Sequence, residues 1–97
     1  MADCYIHVVM DSTTDIMTAL RAGRALLALS QEELAGLAGV SRQIVVRIEK
    51  CELNVLAESI DKVRSALEAN GVVFFEGAAD RGPGVALRRP RRTMTLS

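Results

Sequence analysis

Arg42, Gln43 and Arg47 are the residues whose types and spacing point most directly to chemistry. They stand at i, i+1 and i+5, and a helix turns about 100° per residue, so all three share one side of it. An α-helix fits the major groove of B-DNA, where arginine forks onto guanine and glutamine onto adenine. Val46 lies between them and has the methyl groups to pack on a thymine methyl. The same residues are also what an ordinary solvated helix surface carries, and their spacing alone leaves both readings open.

Other chemistry-bearing residues are sparse. His7 is the one histidine, Cys4 and Cys51 are the two cysteines, and Tyr5, Phe74 and Phe75 are the three aromatics. No nucleophile–base pair and no four-ligand set is visible, so neither an enzyme, a metal nor a cofactor is expected. Two cysteines make no disulfide framework and fit a reduced, cytoplasmic setting. Three aromatics are too few for a base-stacking platform. The glycine-rich stretch around Asp80, Arg81, Gly82, Pro83 and Gly84 lacks the GK[ST] of a phosphate-binding loop and reads as a turn.

The 97 residues suit one domain, and 49% apolar content with 25% charged residues argues against a disordered chain. No apolar run approaches the ~18–20 residues of a membrane span. Asp3 stands where a secretory signal would want a basic residue. The net charge of zero hides a pattern. Residues 41–50 hold Arg42, Arg47 and Lys50 against Glu49, and residues 81–97 hold five arginines and no acid, while the remaining stretches are acidic. For a polyanionic partner, it is the position of clustered positive charge that matters.

The spacing sets out elements able to position these residues. Residues 1–12 read as an extended or flexible segment, with strand-like character over residues 5–10. Ser12 is a loose N-cap, and Ile16, Leu20, Gly23 and Leu27 mark the stripe of a helix over 14–28. Ser30 and Glu33 form a capping box for a helix over 31–38, which Gly39 ends. Ser41 caps a third helix over 42–50. Leu56, Ile60, Val63 and Leu67 line a fourth over 56–69, ending at Asn70 and Gly71. Val72 to Phe75 and Val85 to Leu87 then read as a β-hairpin over 72–88, with a basic tail over 89–97.

Two short helices around Gly39, Val40 and Ser41 form the central unit. With Gln31 as place one, apolar residues fall at four (Leu34), eight (Ala38), ten (Val40), fifteen (Val45) and eighteen (Ile48). Ala35 at place five keeps a close helix crossing free of bulk, and Gly39 at place nine suits a left-handed turn. Over residues 16–70 this pattern resembles the helix-turn-helix of the phage-repressor-like family, the Cro/repressor-type or Xre-like DNA-binding domains. The resemblance implies a mainly α fold: a lambda-repressor-like bundle of four to five helices within residues 13–71, with the hairpin appended. It implies that Arg42, Gln43, Val46 and Arg47 read bases and that Gln31 contacts DNA phosphate. It also implies that Arg24 on the first helix pairs with Glu49 late in the recognition helix. Lys50 is a second phosphate candidate, or else a neighbour to Glu49 or Glu52. One departure stands out: glycine commonly follows the recognition helix, and here the residues are Lys50, Cys51 and Glu52.

A lone two-stranded hairpin is marginal in water, so Phe74 and Phe75 are expected either to join two copies of the chain or to pack on its own helices. The resemblance implies two-fold dimers on palindromic sites. Arg88, Arg89, Arg91 and Arg92 either follow phosphates or form a plain soluble tail. The expected function is sequence-specific binding of double-stranded DNA by a small cytoplasmic transcriptional regulator, acting as a homodimer. The alternative is an antitoxin or other interaction module that binds a toxin-like partner protein, with or without DNA.

Overall fold

The computed structural model describes residues 12–89. Four helices precede a two-stranded antiparallel sheet: α1 (Ser12–Leu26), α2 (Gln31–Ala38), α3 (Arg42–Glu49), α4 (Ala57–Ala69), β1 (Val72–Phe75) and β2 (Gly84–Leu87). The architecture is therefore a mainly helical bundle with a hairpin. The strand expected over residues 5–10, His7, Cys4, Arg91 and Arg92 all lie outside the described residues. Among the described residues no helix is long and apolar enough to cross a membrane.

Helix ends follow local chemistry. Ser30 Oγ accepts from the Glu33 amide at 2.9 Å while the Ser30 amide donates to Glu33 Oε1 at 2.7 Å, closing the expected capping box. Gly39 ends α2 at φ +73°, and Ser41 caps α3 by accepting from the Ile44 amide at 3.2 Å. The first helix differs from its expected span. It begins at Ser12, which is helical rather than a preceding cap, and stops at Leu26 rather than 28. The stop has a clear cause. Ala28 adopts φ +57°, its amide bonds the Ala25 carbonyl at 3.0 Å, and the Leu29 amide returns to the Arg24 carbonyl at 3.2 Å. That is a Schellman turn built on a non-glycine residue.

The core joins Met17 and Leu20 of α1, Leu34 and Ala35 of α2, Val45 and Ile48 of α3, Val63, Ala66 and Leu67 of α4, and Val72 of β1. Two expected core residues are displaced. Ile16 is 38% exposed, because α1 turns Met17 inward instead. Leu56 is 69% exposed, because it precedes the first turn of α4 as its N-cap. Gly23 has a packing reason: a Cβ there would stand 3.3 Å from Leu67 Cδ1 and 3.3 Å from Val72 Cγ1, so α1 sits close on α4 and the hairpin.

The strand register pairs Val72 with Leu87, Val73 with Ala86, Phe74 with Val85 and Phe75 with Gly84. Alternation along the strand sends Val72, Phe74 and Val85 toward the helices and Val73 and Phe75 away. The hairpin thus leans on its own chain through α1 and α4.

Candidate nucleic-acid interface

Helix α3 is held by its inner side. Val45 and Ile48 are 1% exposed and pack among the other three helices and β1. Arg42, Gln43, Val46, Arg47 and Lys50 then fall within an arc of about 140° on the other side, from helical geometry. Arg42, Gln43 and Lys50 are exposed, and Val46 and Arg47 are half-buried. The structure therefore brings the four expected base readers and Lys50 onto one face.

An ion pair fixes that face in place. Glu49 sits in the last turn of α3, where an acid opposes the helix dipole. It is 8% exposed, so its charge needs partners. Arg24 supplies two, Nε to Oε2 at 2.6 Å and Nη2 to Oε1 at 2.9 Å, and its Nη1 donates to the Leu29 carbonyl at 2.8 Å. The side-chain hydrogen bond to Glu49, aided by its charge, outweighs burial and holds the Arg24 guanidinium above its ordinary pKa. Arg24 thereby ties the end of α1 and its following turn to the end of α3.

Gln31 extends this network to the surface. Its Nε2 donates to Glu49 Oε1 at 3.0 Å, and its Oε1 accepts from Arg42 Nη2 at 3.3 Å. The side chain expected at a phosphate is thus engaged with two protein groups, and it steadies the exposed arginine at the start of α3.

The end of α3 resolves the missing glycine. Lys50 closes the helix at φ −89°, and Cys51 then adopts φ +58°. The Cys51 amide bonds the Ile48 carbonyl at 2.9 Å and the Glu52 amide bonds the Arg47 carbonyl at 3.1 Å. This is a second Schellman turn without glycine, at a steric cost of about 1–2 kcal/mol. Cys51 is not a free thiol, contrary to the expectation of two reduced cysteines.

The turn also makes a contact that sequence reasoning missed. Arg47 Nε lies 3.8 Å from Glu52 Oε1, with both side chains 41% exposed. A spacing of five residues is not a helical pairing, and only the left-handed Cys51 brings the two together. Residue types gave no signal for it, because a cysteine argues against the left-handed turn that makes it.

The hairpin separates its two aromatics. Phe74 packs against the core beneath the Arg64 guanidinium, 5.1 Å from its ring centre, whereas Phe75 is 54% exposed. Arg88 and Arg89 are exposed just beyond β2, and the Arg88 amide bonds the Gly71 carbonyl. No protein-family model and no curated protein matches the chain.

Proposed function

We propose that the chain binds double-stranded DNA in a sequence-dependent way, with α2, its turn and α3 acting as a helix-turn-helix of the phage-repressor-like kind. The observation that carries this reading is the shared outward face of Arg42, Gln43, Val46, Arg47 and Lys50 on a helix whose opposite side is anchored in the core. A rigid helix that presents arginine and glutamine together suits base-edge readout in a major groove. Lys50 at its end suits a phosphate. Glu49 is neutralised by Arg24, so it does not oppose the cations around it.

The regulator acts as a homodimer in this reading, joined through the outer side of the hairpin, where Phe75 is the large exposed apolar group. Bound to a palindromic operator, the dimer controls transcription by occupying the site. An antitoxin-like role would use the same hairpin side to hold a different protein.

Selection of bound fragments from random duplexes, read by sequencing, tests the proposal. The wild-type chain should enrich a two-fold symmetric motif. Arg47→Ala should lose about 1–3 kcal/mol of specific binding and relax the motif at one position in each half. Retention of all fragments alike, or of none, would overturn it.

A further inference from the structure

We infer that a second copy of the chain docks face to face on the outer side of the hairpin with its strands reversed, so that Arg88 of each copy stacks beside Phe75 of the other. The inference rests on the homodimer reading above and deepens it, by giving the interface its geometry and Arg88 a role. The Arg88 amide bonds the Gly71 carbonyl at 2.6 Å, so the register of β1 with β2 runs one pair past Val72 and Leu87. Alternation then turns three cross-strand pairs outward: Phe75 with Gly84, Val73 with Ala86, and Gly71 with Arg88. Phe75 is 54% exposed, and Arg88 is exposed and makes no ion pair among the described residues.

The two end pairs each set one large side chain beside a glycine. They lie at equal distances either side of Val73 and Ala86, which lets the patch complement itself about a two-fold axis. With the axis across the strands at that central pair, Phe75 points at the partner's Gly71 and the partner's Arg88 points at Gly84. The space is open, since a Cβ at either glycine would meet nothing within 4 Å. The two side chains then stand on neighbouring strand lines about 5 Å apart, within reach of a cation–π contact. Symmetry makes that contact twice. An axis along the strands would also seat large groups over glycines, but it would set each Arg88 beside the other. Reversed strands avoid this repulsion. They also bring the cationic end, Arg88 and Arg89, to the loop end, where Glu76 is exposed and without an ion pair among the described residues. Pairing edge to edge would leave Phe75 uncovered. Each strand has four residues, about 13 Å, so the patch is small, the dimer is of the weak class, and two such contacts matter to it.

Sedimentation equilibrium of the full chain from micromolar to millimolar concentration, with thermal melts alongside, is the test. R88Q should weaken dimerisation about 5- to 30-fold, as for losing two exposed cation–π contacts. In a Phe75→Leu background, which removes the ring and keeps an apolar side chain, R88Q should change nothing further. G84V fills the space meant for the partner's Arg88, while its Cβ meets nothing in its own chain. It should therefore leave the melt intact and weaken the dimer about tenfold or more, the scale of overpacking. A dimer that R88Q or G84V leaves as tight as wild type, or an R88Q effect that persists without the Phe75 ring, would overturn the inference and leave homodimerisation standing. A wild-type chain that stays monomeric throughout refutes homodimerisation itself, and this inference with it.

Discussion

Replacing Arg24 with methionine would strand a charge. Glu49 is 8% exposed and accepts three hydrogen bonds, two from Arg24 at 2.6 and 2.9 Å and one from Gln31 at 3.0 Å. Removing one partner of a buried pair costs about 3–5 kcal/mol. The Gln31 donor survives the substitution, and the Arg24 side chain is 22% exposed, so water reaches the vacated end. Both facts place the expected cost near the low end, about 3 kcal/mol. Against a total of about 5–15 kcal/mol, that is a large share. It corresponds to a Tm lowered by about 12–24 °C for a domain of this size. Urea unfolding followed by circular dichroism is the assay, and the midpoint should fall by about 1–3 M. The double variant Arg24→Met with Glu49→Leu should recover most of the loss, because no charge is then left without its partner. The sign of the pH effect is also fixed. The folded Arg24 pKa is raised above the ordinary guanidinium value by the hydrogen bond to Glu49, so its stabilisation is fully present below that ordinary value and disappears only as pH climbs through the higher folded one. The guanidinium therefore contributes no loss near neutral pH. If the double variant is as unstable as the two single losses added together, the pair carries no coupling and the reasoning fails.

The two kinds of left-handed turn give opposite expectations. Gly39→Ala should cost about 1–2 kcal/mol from the backbone alone, since φ is +73° and an added Cβ meets nothing within 4 Å. Ala28→Gly should instead raise stability by about 0.5–1 kcal/mol, because relief of the left-handed strain at φ +57° exceeds the added flexibility of glycine. Thermal melts decide both, and a stable Gly39→Ala or a weakened Ala28→Gly would contradict the turn assignment. Phe74→Ser should destabilise the fold by about 2–3 kcal/mol, a discount on full aromatic burial. Phe75→Ser should leave the melt nearly unchanged and shift sedimentation toward monomer. A dimer that persists in Phe75→Ser would remove the hairpin from the interface.

Features set by neighbours in sequence were legible from sequence. The capping box at Ser30 and Glu33, the glycine ending α2 and the Ser41 cap depend on residues within one turn, and each forms as read. The phase of α1 was not so constrained. Leu20 belongs both to the stripe through Ile16, at i+4, and to the one through Met17, at i+3, so periodicity alone does not separate them. Packing on α4 and the hairpin selects Met17 and leaves Ile16 along a groove beside the hairpin loop. Leu56 has the right spacing for the buried face of α4, but a residue at the N-cap lies ahead of the first turn. For Phe74 and Phe75, alternation dictates that one faces inward, and the packing of Val72 and Phe74 against the helical core decides which. The Arg47–Glu52 pair depends on one positive φ at Cys51, which residue type alone argues against.

Gln31 shows how the network narrows what the start of α2 can do. The Glu49 carboxylate accepts from Arg24 and has no proton to give in that pairing, so it faces the Gln31 amide nitrogen and turns Oε1 toward Arg42. One of the two amide hydrogens is then committed inside the protein. At the same helix end, the capping box seats the Glu33 carboxylate on the Ser30 amide, and this negative charge offsets the positive pole that would attract a phosphate. The start of α2 therefore offers a phosphate one side-chain hydrogen and the first backbone amides beside a fixed acid. Arg42, Arg47 and Lys50 carry full charges on the outer face of α3. In the proposed complex the electrostatic affinity must come chiefly from α3, while Gln31 serves mainly to hold Arg42 where that affinity is directed.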